Sequence, residues 1–343
     1  MGKISYHDER DLKNQKKITE ELLSLPSFVN DFVISIENNS STLTRLNYLT
    51  DLKIFLHYLS NVLNTEIKSI NLQDIDSLKA RDVERFLSYI TYFEKDNKVH
   101  TYKEKGKARM LSAIRSLFKY LFKHDMINSN VVTKISTPKI HQKEIVRLDV
   151  DEVAKLLDQA ETPTNLSNRE ISYNKKTKER DVAILTLFLG TGIRISECVG
   201  LNVKDINLDD NSLKIRRKGG NEVVLYFSNE VKSALIEWLK VREEIETIEK
   251  DDPALFLSLQ RKRLTPRAVE NLVAKYTGAV NPLKKVSPHK LRSTFGTNLY
   301  RETRDIYIVA DVLGHKDVNT TKKHYAAITD DIRRDASTAI KLR

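Results

Sequence analysis

The chain has 343 residues, enough for two domains of ordinary size, and its 40% apolar and 31% charged residues are typical of a globular protein. The net charge of +11 and the pI of about 9.4 indicate a polyanionic partner. One cysteine, Cys198, excludes an internal disulfide and a zinc-finger spacing, and the apolar runs are too short to span a bilayer, so we expect a cytoplasmic protein with no membrane partner.

Apolar residues recur at helical spacing along the first part of the chain. Residues 1–20 are polar, and we interpret them as a flexible N-terminus, with a solvated first helix as the alternative. Ser40 and Ser41 are placed to cap the strongest of the predicted helices. These helices cover residues 22–36, 41–62, 80–93 and 101–124. The pattern predicts a small all-helical domain over residues 21–126.

The excess positive charge is concentrated in residues 101–147, which carry 11 Lys or Arg against 3 Asp or Glu, a net charge of +8. One face of the predicted helix in this segment carries seven cations: Lys103, Lys105, Lys107, Arg109, Arg115, Lys119 and Lys123. A solvated helix surface would show the same run. The concentration of charge beside a linker favours a helix that docks on a nucleic-acid backbone, where such contacts give affinity rather than sequence reading.

Apolar periodicity is lost over residues 127–147, which contain Pro138 and no acid before Glu144. We interpret this segment as an extended, basic linker between two domains. A new helix is predicted to start near Asp149, and the polar stretch 161–178 is interpreted as a loop.

The remaining part mixes helices with a small sheet. Strand-like runs separated by Asp-Asp-Asn and Gly-Gly-Asn turns predict a three-stranded antiparallel sheet over residues 206–227. Further helices are predicted over residues 179–189, 231–249 and 265–276.

Four short motifs carry side chains suited to phosphate chemistry. They are Arg194 after a Gly-Thr-Gly turn, His289-x-x-Arg292, Leu-Gly-His315, and Tyr325 ten residues later. Arginine offers a planar donor fork that matches phosphate oxygens, and histidine moves a proton near neutral pH. Tyrosine is a competent nucleophile when positive charge surrounds it.

These motifs, in this order over about 130 residues, resemble the signature of the tyrosine recombinase (phage integrase) family. The segments NKKTKERDVAILTLFLGTGIRISE, RKGGNE, DPALFLSLQ and SPHKLRSTFGTNLY are similar to Xer-type recombinases that act alone. The resemblance implies a mainly α fold with a small antiparallel β-sheet in the catalytic domain, arranged as a two-domain, C-shaped DNA clamp. The catalytic domain would cover residues 148–328, and a C-terminal intersubunit segment residues 329–343.

The resemblance also implies a role for each residue, with no metal and no cofactor. Tyr325 would attack a DNA phosphate and form a 3′-phosphotyrosyl link. Arg194 and Arg292 would bind the non-bridging oxygens, and His315 would add a further donor. His289 would accept the tyrosine proton.

Three more assignments follow from the likeness. Lys218, which precedes the Gly-Gly turn, would protonate the leaving 5′-oxygen. Glu197 would orient the site through its carboxylate. Arg263 and Arg267 begin a helix that the family places in the major groove, so both are candidate DNA contacts, although two solvated arginines would fit the sequence as well.

The implied function is site-specific recombination of double-stranded DNA, with self-association into a tetramer on paired sites and an Xer-like role in resolving chromosome dimers. Three alternatives stay open. They are an integrase or excisionase of a mobile element, a type IB topoisomerase with the same nucleophile, and a DNA-binding protein without catalysis.

Overall fold

The structure, a computed structural model, describes residues 5–95, 98–140, 147–217, 220–248, 252–315 and 317–318. The chain divides into two compact units, Met1–Lys143 and Glu144–Arg343. Helices dominate both units and the sheets are small and antiparallel, which confirms the predicted fold class. Within the described ranges, no helix is both long and apolar enough to cross a membrane.

In its described residues, the first unit contains six α-helices and one short hairpin. The two long helices, α3 and α6, bury most of the apolar residues that predicted them, including Phe55 and Phe118. Ser41 caps α3 by accepting a hydrogen bond from the Thr44 N–H. The elements are α1 (Tyr6–Leu22), α2 (Ser27–Ser35), α3 (Thr42–Leu63), α4 (Leu72–Asp76), α5 (Ala80–Tyr89), β1 (Phe93–Lys95), β2 (Lys98–His100) and α6 (Glu104–Lys123).

The prediction of a flexible segment over residues 1–20 is wrong, because α1 occupies most of it. The Ser5 hydroxyl caps this helix by accepting from the Asp8 N–H, and Ile18 is buried in the core. The predicted helix over 22–36 is also interrupted. Pro26, which has no N–H and disfavours a helical residue before it, separates α1 from α2.

Two further boundaries differ from the prediction. The helix predicted to reach residue 93 ends at Tyr89, because Phe93 begins the β1–β2 hairpin. The predicted linker 127–147 begins too early, because Ile127, Val132 and Ile135 are buried in the core of the first unit. Their spacing is irregular, so a periodicity argument does not detect them. Residues 141–146 of this segment lie outside the described residues.

Where the structure describes it, the second unit combines seven α-helices with the predicted sheet. Strands β3, β4 and β5 pair antiparallel in chain order, with Leu213 opposite both Ile206 and Leu225. The elements are α7 (Val150–Glu161), α8 (Asn168–Thr191), α9 (Ile195–Gly200), β3 (Ile206–Asn207), β4 (Ser212–Arg216), β5 (Glu222–Tyr226), α10 (Asn229–Glu243), α11 (Pro266–Val280), α12 (Pro288–Thr303) and α13 (Ile306–Leu313).

The loop predicted over residues 161–178 is wrong, because α8 begins at Asn168. Ser167 and Glu170 form a capping box at its start. The first half of α8 buries polar side chains, Asn174 and Thr177, so the hydrophobic periodicity of a helix is missing there. Polar burial of this kind requires partners from elsewhere in the chain.

Asn174 donates to the Ala160 carbonyl and to the Tyr276 hydroxyl, and a buried carboxylate organises the groups around it. Asp181, 1% exposed, accepts hydrogen bonds from the hydroxyls of Thr177 (2.9 Å) and Tyr276 (2.8 Å). It also accepts from Arg180 and Lys275, so two cations balance its charge. Burial beside this carboxylate raises the pKa of the Tyr276 hydroxyl, which therefore remains a donor. The network fixes α8 against α11 and thereby sets the direction of the long helix that leads into the site.

Candidate active site

The carboxyl end of α13 lies at the centre of the site. Gly314 ends the helix in the left-handed conformation, with a φ of 61°. The N–H groups of Gly314 and His315 close the last turn on the carbonyls of Asp311 (2.8 Å) and Ala310 (2.9 Å). The carbonyls that follow, those of residues 312–314, have no amide partner within the helix and carry the partial negative charge of its end.

Three arginines from three different elements donate to these later carbonyls. Arg194, at the start of α9, reaches the carbonyls of Leu313 (3.2 Å) and Gly314 (3.0 Å). Arg292, in the second turn of α12, donates to the carbonyls of Leu313 and Gly192 and is only 5% exposed. Arg217, which follows β4, donates to the Val312 carbonyl at 2.9 Å. The site thus gathers positive charge at a helix end that attracts cations.

The Gly-Thr-Gly turn brings the end of α8 into this cluster. Gly192 has a φ of 61°, and its carbonyl accepts a hydrogen bond from Arg292. A Cβ atom at residue 192 would lie 2.4 Å from Cδ1 of Phe295 and 2.9 Å from Cδ2 of Leu313. Glycine is therefore required here both for the backbone conformation and for close packing against α12 and α13.

Glu197 holds Arg194 in place. One carboxylate oxygen accepts from the Arg194 N–H and the other accepts from its Nη1 atom, both at 2.8 Å. The Glu197 side chain is 3% exposed, whereas that of Arg194 is 33% exposed. The neighbouring Cys198 is buried, which raises the pKa of its thiol and keeps it in the neutral form. The carboxylate thus fixes an arginine that remains partly accessible from solvent.

The two predicted histidines lie on the elements that carry this cluster. His289 is exposed in the first turn of α12, three residues before Arg292, and its carbonyl accepts from the Ser293 hydroxyl. His315 directly follows the glycine that ends α13. Both residues therefore flank the arginines, one from the start of a helix and one from the end of another.

Positive charge is in excess in the described part of the site. The three guanidinium groups are accompanied by one buried carboxylate, that of Glu197, and by the exposed Asp311. Such a cluster suits a phosphate diester, whose oxygens accept several N–H bonds at once. Among the residues that the structure describes, no group of three His, Cys, Asp or Glu side chains is placed to hold a metal ion.

Two predicted site residues, Lys218 and Tyr325, lie outside the described residues, as does the predicted intersubunit segment 329–343. Their assignments remain predictions from the motifs. Conversely, Arg217 has no predicted role, because its contact with the end of α13 joins residues far apart in the chain and no local sequence pattern indicates it. The glycine of Leu-Gly-His is the one hint, because it leaves room for a large neighbour.

The seven candidate cations of the basic helix do not share one face. Lys105, Arg109, Lys119 and Lys123 lie within about 80° of one another around α6. Lys107 points toward the opposite, core-facing side, and Lys103 precedes the helix at its N-cap. The stripe of four is the part of the set that could follow a DNA backbone.

Two arginines of the predicted basic face are held within the first unit. Arg109 pairs with the fully buried Asp51 at 2.7 Å, although its own side chain is 53% exposed. Burial raises the pKa of Asp51, and Arg109 opposes that effect. Arg115 donates to the carbonyl of Ile135 and to the hydroxyl of Thr137, which ties the chain after α6 back onto this helix.

The two arginines at the start of α11 have different environments. Arg263 lies before this helix and donates to the carbonyls of Val199 (3.0 Å) and Leu201 (2.9 Å) and to the side chain of Asn202 (2.7 Å). Its side chain is 15% exposed, so this placement assigns it to the interior and not to a DNA-contacting surface. Arg267 lies in the first turn of α11 with a side chain that is 79% exposed.

Comparisons with known proteins identify relatives along nearly the whole chain. Residues 146–331 match the phage integrase family, and residues 29–125 match the phage integrase N-terminal SAM-like domain. Tyrosine recombinase XerS of Streptococcus thermophilus (strain CNRZ 1066) is 33% identical over 94% of this chain and 97% of its own length. The XerS protein of Streptococcus agalactiae serotype III (strain NEM316) is 32% identical with the same coverage.

A solved structure shares the fold. The XerH site-specific recombinase bound to a palindromic difH substrate, in a post-cleavage complex, aligns with a TM-score of 0.67 and 22% identity. The alignment covers 87% of this chain and 80% of that one. This structure supports the fold, and the sequence relatives confirm the resemblance expected from the motifs, including its Xer-type character.

The packing at Gly192 yields a stability prediction with an internal control. Gly192→Ala should lower the free energy of unfolding by about 2 to 4 kcal/mol, because the left-handed backbone and the crowding against Phe295 both disfavour a side chain. Gly278→Ala, in α11 with no heavy atom within 4 Å of the added Cβ, should be neutral or stabilise by up to about 1 kcal/mol.

Fluorescence of Trp238 measures both effects during urea unfolding, because it is the sole tryptophan and is buried in the second unit. Equal effects of the two substitutions would contradict the close packing at Gly192.

Proposed function

This chain belongs to the phage integrase family of tyrosine recombinases and is a site-specific recombinase, and we propose that Arg194 and Arg292 bind the scissile phosphate of double-stranded DNA. The observation that supports this proposal is the convergence of these two arginines on the end of α13. The carbonyls orient the guanidinium groups without neutralising them. Their charge therefore remains available to an anion, in a geometry fixed before the anion binds.

The proposed reaction begins when Tyr325 attacks the phosphorus. His289 accepts the phenolic proton, and Arg194 and Arg292 stabilise the charge that develops on the non-bridging oxygens, with His315 as a further donor. The bond to the 5′-oxygen breaks, and Lys218 supplies the proton that makes this oxygen a hydroxyl. The products are a 3′-phosphotyrosyl link and a free 5′-hydroxyl end.

Strand transfer reverses the same steps with a different strand. The 5′-hydroxyl of a partner duplex attacks the phosphotyrosine, a new phosphodiester forms, and Tyr325 recovers its proton. One phosphoester bond is exchanged for another, so the overall step needs no separate energy source. Glu197 acts through Arg194, because the carboxylate fixes both the backbone N–H and the guanidinium of that residue.

We also propose that α6 supplies affinity for the DNA backbone. Lys105, Arg109, Lys119 and Lys123 form a stripe along one side of this helix, and Arg267 offers a further exposed cation at the start of α11. Contacts of this type are independent of sequence and sensitive to salt.

The biological role that we propose is the resolution of chromosome dimers by tetramers assembled on paired recombination sites. Its support is the likeness to XerS proteins over 94% of the chain and 97% of their length. A mobile-element integrase is not favoured, because full-length relatives of this kind are named as Xer recombinases. A topoisomerase or a non-catalytic DNA-binding protein is likewise not favoured.

The lysines of α6 generate a salt-dependence prediction. Replacing Lys105, Lys119 and Lys123 with alanine should reduce the slope of log K against log salt by about 2 to 3, since each lost phosphate contact contributes about 0.9. The matched control removes three exposed lysines of α1, namely Lys13, Lys16 and Lys17. This control should leave the slope unchanged.

Fluorescence anisotropy of a labelled duplex, titrated at several salt concentrations, supplies both slopes. If the α6 variant retained the parent slope, the stripe would face solvent and not DNA.

The assignment of the nucleophile has a direct test. Tyr325→Phe should bind a duplex carrying the recombination site as tightly as the parent but form no SDS-resistant protein–DNA complex, because the substitution removes the hydroxyl that forms the covalent link. Tyr307→Phe, at an exposed tyrosine of α13, should form the complex at the parent rate. A covalent adduct in Tyr325→Phe, mapped by mass spectrometry to another residue, would refute the assignment.

A further inference from the structure

The side chain of Arg217 connects the small sheet to the turn that carries His315. Its Nη2 atom donates to the Val312 carbonyl at 2.9 Å, although the two residues are 95 positions apart in the chain. The backbone of Arg217 is fixed as well, since its N–H donates to the Asn221 carbonyl and its carbonyl accepts from the Gly220 N–H. Arg217 is therefore anchored at the sheet by its backbone and at α13 by its guanidinium.

The guanidinium of Arg217 lies directly against Gly314. A Cβ atom at residue 314 would be 2.1 Å from Nη1 and 2.3 Å from Cζ of Arg217. The absence of a side chain at Gly314 thus serves two purposes, the left-handed φ of 61° that ends α13 and the room for a planar group. Because His315 is the next residue, its position depends on how this glycine packs.

The packing of Arg217 against Gly314 buries one polar atom of the guanidinium without a hydrogen-bond partner in the described part of the chain. The Nε atom of Arg217 is buried and has no hydrogen-bond partner among the described residues. Burial lowers the pKa of this guanidinium, Glu197 opposes the shift, and Arg194 adds to it. The side chain is thus held by packing against Gly314 and by the Val312 carbonyl, and it faces no carboxylate at hydrogen-bond distance among the contacts described above.

We propose that Arg217 is a positioning residue that holds the Gly314–His315 turn, so that His315 is presented correctly to the scissile phosphate. This role rests on the proposed function of His315 in the site. Arg217 acts through His315 and does not itself bind the phosphate, because its guanidinium is packed against Gly314 and its Nε atom is buried there. Loss of Arg217 should then misplace His315 and slow cleavage while leaving DNA affinity unchanged.

A double-mutant cycle tests this dependence. The variants are Arg217→Ala, His315→Ala and the double substitution, in the full-length protein. The rate of covalent-complex formation is measured in a single turnover at saturating protein, on a nicked duplex that prevents religation. The DNA dissociation constant and the unfolding midpoint reported by Trp238 are measured for every variant.

Lys214→Ala is the matched control for the cycle. It removes a cation from β4, where Lys214 pairs with Glu222 on the surface at 2.5 Å and makes no contact with α13 in the described interactions. The control should cleave at the parent rate.

The expected result is a strongly non-additive cycle. Arg217→Ala alone should slow cleavage by about a hundredfold, the size of effect that a small misplacement of a catalytic group produces. In the His315→Ala background the same substitution should change the rate by less than about threefold, because its target is already absent. Arg217→Gln, which keeps a planar polar group with shorter reach, should fall between the parent and Arg217→Ala.

Other results would overturn the proposal. Rate losses that multiply in the double variant would show that Arg217 acts independently of His315, and weaker DNA binding by Arg217→Ala would show a direct phosphate contact. If Arg217→Ala does not fold, the same double-mutant cycle is measured with Arg217→Gln in its place. A wild-type rate for His315→Ala would instead refute the proposed function of His315, which keeps the two failures distinguishable.

Discussion

The hydrogen bonds from three guanidinium groups to the carboxyl end of α13 are the interaction on which the second unit depends. Arg194, Arg217 and Arg292 come from the start of one helix, the end of a strand and the second turn of another helix. Like charges repel at such distances, so the cluster requires compensation. The helix end provides it through partial charges on neutral carbonyls, which hold the guanidinium groups and leave them cationic.

Several features of the fold follow from this requirement. The end of α8 must approach α12 and α13 closely enough for its last carbonyl to reach Arg292, which explains why Gly192 has no room for a side chain. The direction of α8 is set at its other half by Asp181, whose charge is balanced by Arg180 and Lys275. A buried carboxylate of this kind is tolerated only when it is paired, and its removal would leave two cations without compensation.

The sequence alone predicted the parts of the fold that rest on apolar periodicity or local turn chemistry. The helices α3 and α6 and the three-stranded sheet are recognisable in this way, whereas Arg194, Glu197 and Arg292 become site candidates through the resemblance of their motifs to the family. Polar burial and long-range contacts were not recognisable. The first half of α8 buries Asn174 and Thr177, so its sequence resembles that of a loop. The sequence allows Arg263 to be a DNA contact or a solvated arginine, whereas in the structure its guanidinium donates to interior carbonyls. The contact of Arg217 with α13 joins residues 95 positions apart, and the only sign of it in the sequence is Gly314, which makes room for the guanidinium.

The central proposal is that Arg194 and Arg292, at the end of α13, stabilise negative charge on the scissile phosphate. The most direct test replaces one non-bridging oxygen of that phosphate with a methyl group, which makes the linkage neutral while the leaving group stays the same. Arg194→Ala, which should fail on the natural phosphodiester, is expected to cleave the neutral linkage within about tenfold of the parent rate, because little charge remains to be stabilised. Equal impairment on both linkages would contradict the claim and would show that Arg194 is needed for the fold of the site and not for the charge of the phosphate.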